Sequence, residues 1–414
     1  MAGSSASLVR MAWRNIWRHK RRTWLNMAGI GFSTFLFVFV MPIQFGAYDM
    51  MIDATLRMHT GYAQIQKVGY KDKPDIYNTI SNAESLARKI RGSNEFEAVA
   101  VRASAFALMS SVKRSYGGEI LGVQTRYEPQ LSIIPSHIKQ GRFFSGDDAQ
   151  ELILGASLAR DLRVKLGDPI TILGTGKDGS MAATVIPVVG IFETGSADVD
   201  RYTAEIPLHT FQRLFSMGND AHNISVIGKS IRNIDAIPHQ LDKFIHKGDG
   251  LVVLSWDELM PGIKQTLQMD EAGGFLFMLV LVIVVVFSIL NSFLMLVLER
   301  TKEFGLMLAL GDRPINISKL VMLESFFMTT MALVAGMILA LAINYYFLMQ
   351  GLRFPGIREF TQAYNMPLDV MYPKFDSFTV LFGPGVVFVS TTIAAWLPLS
   401  RIHRLNPVDA MRTV

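Results

Sequence analysis

Few residues in this 414-residue chain have the types and spacing that chemistry requires. Gly174-Thr-Gly176-Lys-Asp-Gly179 matches G-x-G-x-x-G, the loop that lays a pyrophosphate on a helix N-terminus when a strand precedes it and a helix follows. Here Met181 to Val189 carries Thr184, Val185, Ile186 and Pro187 and reads as another strand, so a glycine-rich hairpin turn is expected instead. No G-x-x-x-x-G-K-[ST] is present, so the chain has no P-loop of its own. The eight histidines are scattered without an H-E-x-x-H pair, and no Ser/His/Asp set stands out. The absence of cysteine removes disulfides, thiolate metal sites, a thiol nucleophile and a lipid anchor through sulfur. An enzyme is therefore not expected.

The remaining candidate chemistry is mechanical. Residues 299–313, Glu-Arg-Thr-Lys-Glu-Phe-Gly-Leu-Met-Leu-Ala-Leu-Gly-Asp-Arg, form a charged, glycine-punctuated segment between two apolar runs. The segment can form a short helix with Phe304, Leu306, Met307 and Leu310 as apolar handles for a soluble partner. Gly305 permits close contact, Gly311 suits the helix end, and Glu299, Arg300, Lys302 and Glu303 would orient docking. The alternative is an ordinary interfacial loop helix. Glu324 begins a second candidate. A carboxylate one turn into an apolar run either couples the bundle to this segment or is satisfied by a nearby cation such as Lys319.

The elements that position these residues are membrane helices. Half the residues are hydrophobic and 18% are charged, and the charges crowd at the ends of apolar runs, which argues against nucleic acid as the reason for the net charge of +5. Four apolar runs are long enough to span a bilayer, which needs roughly 20 residues of helix. The first is too long for a signal-peptide core and is read as a retained helix. Arg10, Arg14, Arg18, Lys20, Arg21 and Arg22 precede it; Arg300, Lys302, Arg313 and Lys319 follow the second run; Arg401, Arg404 and Arg412 follow the fourth. The positive-inside bias places all three segments in the cytoplasm.

The predicted organisation is a cytoplasmic amphipathic helix over 1–23, a first membrane helix over 24–51, an extracytoplasmic α+β domain over 52–272 and a second membrane helix over 273–298. A cytoplasmic coupling loop over 299–319, a third membrane helix over 320–349, an extracytoplasmic loop over 350–377, a fourth membrane helix over 378–399 and a cytoplasmic tail over 400–414 complete it. In the first segment Leu8, Met11, Ala12, Ile16 and His19 share a face, while Trp13 and Trp17, with Arg14 and Arg18, suit a membrane-surface anchor. The α+β domain has short β-like runs such as Pro169–Leu173, with two lobes divided before Pro135 as an alternative. Asn291 and Asn344 read as interhelical hydrogen-bond glue, and Gly29, Gly31 and Gly46 as sites of close helix approach. Phe32, Phe35, Phe37, Phe39 and Phe45 read as a lipid-facing surface, or as an aromatic wall for a lipid chain or dimer contact.

Several segments together resemble the FtsX/MacB-like permease family of ABC transporters. They are Ala12-Trp-Arg-Asn-Ile-Trp-Arg-His-Lys-Arg-Arg22, Gly141-Arg-Phe-Phe-Ser145, Glu151-Leu-Ile-Leu-Gly155, Leu166-Gly-Asp168 and Val189-Gly-Ile-Phe192. Arg300 to Gly311 is similar to the family's cytoplasmic loop and Leu405-Asn-Pro-Val-Asp-Ala-Met-Arg412 to its C-terminal signature. The resemblance implies a non-catalytic permease subunit, with the lipoprotein-releasing permeases as the nearest functional class. It would bind two cytoplasmic ATPase subunits that hold ATP and Mg, and pair with a second permease copy or a related permease. The implied setting is the bacterial inner membrane, with the large domain in the periplasm. The implied work is extraction of a lipoprotein or other amphiphile; efflux through a periplasmic adaptor and activation of a cell-wall hydrolase are alternatives.

Overall fold

The computed structural model describes residues 5–18, 20–58, 60–246, 248–353 and 370–396. His19, most of the loop 350–377, the end of the fourth apolar run and the tail with Leu405–Arg412 lie outside the described residues. The chain forms two units, one of Met1–Tyr48, Leu267–Leu352 and Val370–Val414, the other of Asp49–Thr266 and Arg353–Asp369.

Among the described residues six helices supply the first unit: α1 (Ser5–Arg18), α2 (Lys20–Met58), α3 (Pro261–Glu299), α4 (Thr301–Ala309), α5 (Pro314–Gln350) and α6 (Ser377–Trp396), of which α2 and α3 also extend into the second. Four of them, α2, α3, α5 and α6, are long and apolar enough to cross a membrane. Their core joins Ile30, Phe37 and Met41 of α2 to Met278 of α3, Met328 and Ala332 of α5 and Val387 of α6. Close approach of α2 and α5 rests on glycine. A Cβ on Gly336 would collide with the Gly31 carbonyl oxygen, and one on Gly31 would stand 3.2 Å from the Ala332 oxygen. Gly29 faces open space, and Gly46 admits the backbone of Tyr372 rather than a helix. The aromatic set divides: Phe37 is buried, Phe39 lies 6.3 Å from Phe347, Phe45 lies 5.8 Å from Phe378, and Phe32 is exposed.

Pro42 sits inside α2. Having no N–H, it leaves the carbonyl of Val38 without its helical donor. Asn344 of α5 fills that place: its Nδ2 donates to the Val38 oxygen at 2.7 Å. This amide is fully buried, whereas Asn291 is exposed, so of the two asparagines Asn344 joins two membrane helices.

The second unit is built on one ten-stranded sheet. Its strands are β1 (Ala63–Lys67), β2 (Phe96–Ser110), β3 (Ser115–Val123), β4 (Ile138–Gly141), β5 (Leu152–Gly155), β6 (Pro169–Thr175), β7 (Met181–Phe192), β8 (Thr203–Pro207), β9 (Asn223–Gly228) and β10 (Leu251–Ser255). They run in the order β10-β1-β9-β2-β3-β8-β5-β7-β4, with β6 bridging β2 and β7. The pairs β3–β8 and β5–β7 are parallel and the rest antiparallel. A continuous sheet replaces the two-lobe alternative, because β2 runs fifteen residues and pairs with β9, β3 and β6. Gly176 N donates to Ser180 O at 2.8 Å and Gly179 takes φ +80°, so the glycine-rich segment is the hairpin between β6 and β7.

The sheet buries ionisable groups. Arg102 of β2 is paired with Glu128, both almost wholly inaccessible. Glu205 of β8 is also fully buried, and neither of its carboxylate oxygens has a hydrogen-bond partner among the described residues. Burial first, then the charge of Glu128, pushes its carboxyl up to about 8, against the opposing pull of Arg102. His222 stacks on Tyr70 with centroids 5.0 Å apart and accepts the Ser104 N–H at Nδ1. Burial pushes it down to about 4.

Two predictions follow from these arrangements. Asn344→Leu is expected to destabilise the chain by about 1 kcal/mol, because the Val38 carbonyl loses its donor. Adding Pro42→Ala should restore most of that loss, as read from unfolding in mixed micelles; no rescue would contradict the account. Glu205 has a folded pKa above its unfolded one, so its contribution is full below the ordinary carboxylate range and is lost as pH rises through about 8. His222 works in the opposite sense, losing stability as pH falls from about 6.5 towards about 4. Glu205→Gln should therefore flatten the decline in melting temperature that runs from the ordinary carboxylate range up to about pH 8.

Candidate functional site

Arg300 is the single residue between the end of α3 and the start of α4, and its guanidinium ties that junction to α4 and α5. Nη1 donates to both oxygens of Glu324 in α5, at 3.1 and 3.0 Å, and Nε donates to Glu303 of α4 at 2.9 Å. Asn15 of α1 donates its Nδ2 to the same Glu324 at 2.7 Å. Arg18 of α1 closes the circuit on Glu303 at 3.6 Å. Glu324 is only 2% exposed, so this network answers the desolvation of a carboxylate in an apolar helix. Burial lowers the pKa of Arg300, but the charges of Glu324 and Glu303 more than offset it, and the guanidinium is held above its ordinary value. Lys319 is exposed and makes no such contact.

Within 299–313 the chain forms one short helix of its own, α4 (Thr301–Ala309), with a defined stop. Gly311 takes φ +92°, Asp312 N donates to Met307 O at 3.0 Å, and Gly311 N donates to Leu308 O at 3.0 Å, the Schellman arrangement. Asp312 then accepts from Arg313 N and from Asn316 Nδ2 at 2.7 Å, and Pro314 opens α5.

The apolar handles divide between two faces. Phe304 is fully buried against Ile317 and Val321 of α5, and the Arg300 guanidinium lies 5.2 Å from its ring centroid. Gly305 is buried with it. Lys302, Leu306 and Leu310, four apart, form an outward stripe in which Leu306 is 56% and Leu310 80% exposed. The helix is thus anchored by one face and offered by the other.

In α1, Ala12 and Ile16 are buried, while Arg14, Arg18 and Met11 are exposed. Trp13 meets Trp17 edge-on at 6.2 Å and Phe327 of α5 at 5.8 Å, so part of the aromatic surface is covered by protein. Thr23 Oγ1 donates to Ile16 O at 2.6 Å across the junction with α2. Asn15 was missed from the sequence. The available signal was a lone amide between Ala12 and Ile16 on the apolar side of an otherwise basic helix. Among the described residues no group of three His, Asp or Glu side chains could hold a metal ion.

Arg300→Met is expected to cost about 3–5 kcal/mol, because it leaves Glu324 buried with only an amide partner. Arg300→Met/Glu324→Met should recover most of this, and Arg18→Ala should cost under about 1 kcal/mol. Unfolding free energies in mixed micelles decide; a double variant as damaged as the single would contradict the pairing.

Residues 23–244 match the MacB-like periplasmic core domain and residues 275–407 the FtsX-like permease C-terminal model. The chain is 22% identical over 328 residues to the lipoprotein-releasing system transmembrane protein LolC of Neisseria meningitidis, a match covering 77% of this chain and 76% of that one. It is 20% identical to an uncharacterized ABC transporter permease of Methanocaldococcus jannaschii, over 98% of this chain and 97% of the relative. It is 22% identical to the macrolide export ATP-binding/permease protein MacB of Agrobacterium fabrum, over 97% of this chain but 60% of the relative's length. With the core-domain model alone spanning more than half of its residues, followed by the permease model over its last membrane helices, this chain belongs to the FtsX/MacB-like superfamily of ABC transporter permeases.

Proposed function

We propose that α4 is the element gripped by a cytoplasmic ATPase, and that the Arg300–Glu324 pair carries the resulting force into α5 and α1. The observation that carries this reading is the two-faced build of α4. Lys302, Leu306 and Leu310 are presented outward, while Phe304 and Arg300 fix the helix to the bundle. An exposed apolar stripe on a stiffly held helix gives a partner both a grip and something to push against. The nucleotide chemistry, in this reading, belongs to two partner ATPase subunits that hold ATP and Mg. In this reading the permease is non-catalytic and works as a dimer with a second copy or a related permease in a bacterial inner membrane. The α+β domain stands in the periplasm and Trp13, Arg14, Trp17 and Arg18 rest at the inner leaflet.

The work is extraction of a lipoprotein or another amphiphile. The likeness to LolC supports a lipoprotein cargo, and the likeness to the macrolide export protein MacB supports the alternative of efflux. The test is purification of the full chain from its native membrane in mild detergent, followed by mass spectrometry of bound partners. Leu306→Asp/Leu310→Asp changes two surface positions and should leave the melting temperature unchanged while removing the ATPase subunit from the complex. Retention of the ATPase by that variant would sink the proposal.

A further inference from the structure

The α+β domain contains a cavity of about 550 Å³ in which the coupling reading assigns no role. Its apolar wall comes from Met51 and Met58 at the end of α2, Met260 and Ile263 beside the start of α3, and Val199 and Tyr202 of the helix Ala197–Tyr202. Methionine side chains are flexible and polarisable, and line sites that accept chains of varied shape. Glu119 of β3 and Asp198 also stand in the wall. Neither carboxylate makes a hydrogen bond or ion pair among the described residues, and no lysine or arginine lines the cavity. The nearest cations in sequence are engaged elsewhere, Lys264 with Asp257 at 2.6 Å and Arg201 with Asp161 at 3.3 Å.

An apolar band leads away from the acidic wall. Glu119 lies opposite Thr203 of β8 on one side and Phe106 of β2 on the other. Phe106 is 77% exposed, with its ring laid over Gly117, where a Cβ would come within 3.0 Å. Leu108 shares its face and is opposite Leu173 of β6, and Thr171 is opposite the exposed Val185 of β7. The candidate span in α2 is 36 residues, about 54 Å of helix at 1.5 Å per residue. A hydrocarbon core is about 30 Å thick, so the turns carrying Met51 and Met58 stand clear of it.

We propose, resting on the extraction reading above, that this cavity receives a single-chain amphiphile with a cationic head. The ammonium sits at Glu119 and Asp198 and the chain lies on Met51, Met58 and Met260. The Arg102 guanidinium that Glu119 feels is already held by Glu128, and among the described residues the cavity wall itself carries two carboxylates and no lysine or arginine. Such a wall repels a phosphate or carboxylate head and attracts an ammonium, which makes the head charge the discriminating feature.

The test uses the full chain in phosphatidylcholine nanodiscs without any ATPase, so its failure is separate from a failure of the α4 assignment. The probe is dodecylammonium carrying a chain-end diazirine, with dodecyl phosphate carrying the same group as comparison. Photolabelling by the ammonium probe should map to peptides spanning 51–58 and 260–266 and exceed that of the phosphate probe about tenfold. Glu119→Gln/Asp198→Asn should reduce it about tenfold with melting temperature unchanged, and Thr55→Trp, which fills the cavity, should abolish it. Equal labelling by both probes, preference for the phosphate, or labelling that survives either variant would overturn the proposal.

Discussion

A carboxylate buried in an apolar helix is the constraint around which the first unit is organised. Glu324 cannot stay ionised there without a cation and further donors, and the bundle supplies both, from Arg300 and from Asn15. Each donor comes from a different segment, so satisfying one charge fixes three elements together. Arg300 is also the only residue between α3 and α4. Its position fixes where α4 begins, and Glu303 and the ring of Phe304 then set how α4 lies against α5. A hydrophobic residue at 324 would cost less to bury but would leave the junction between α3 and α4 free to turn.

The same logic operates further along the bundle. Pro42 removes one backbone donor from α2, and Asn344 supplies a replacement from α5. Gly31 and Gly336 let the two backbones approach closely enough for that amide to reach. With little hydrophobic drive between helices in lipid, such close packing and interhelical hydrogen bonds give α2 and α5 a fixed register. In the second unit the principle is reversed at Glu205, where neither carboxylate oxygen has a hydrogen-bond partner among the described residues and burial pushes the carboxyl up to about 8.

Much of this was legible in the sequence, for physical reasons. Four long apolar helices follow from composition alone, and short β-like runs separated by glycine and proline indicated the mixed domain. The strand-like character of Met181–Val189 was enough to turn a dinucleotide motif into a hairpin. What could not be read was long-range pairing. The parallel alignment of β3 with β8 and the fit of β6 between β2 and β7 join segments with no local signal for each other. The partner of Glu324 lies 24 residues away, whereas Lys319, close in sequence, is about 140° round the helix at 100° per residue. Treating Phe304 and Leu306 as equal handles overlooked a similar angle, since residues two apart on a helix point to nearly opposite sides.

The central claim is that α4 is locked to α1 and α5 through Arg300 and Glu324, so that a push on α4 becomes a movement of the bundle. The chain has no native cysteine, so spin labels can be placed at Lys302→Cys on α4 and Arg10→Cys on α1 without background. The decisive measurement is the distance distribution between them by electron paramagnetic resonance, with and without the nucleotide-bound ATPase. The account predicts one narrow distribution, the same in both states and broadened by Arg300→Met. A distance that shifts or broadens in the unmutated chain when the ATPase engages would mean that α4 swings on its own, and would contradict it.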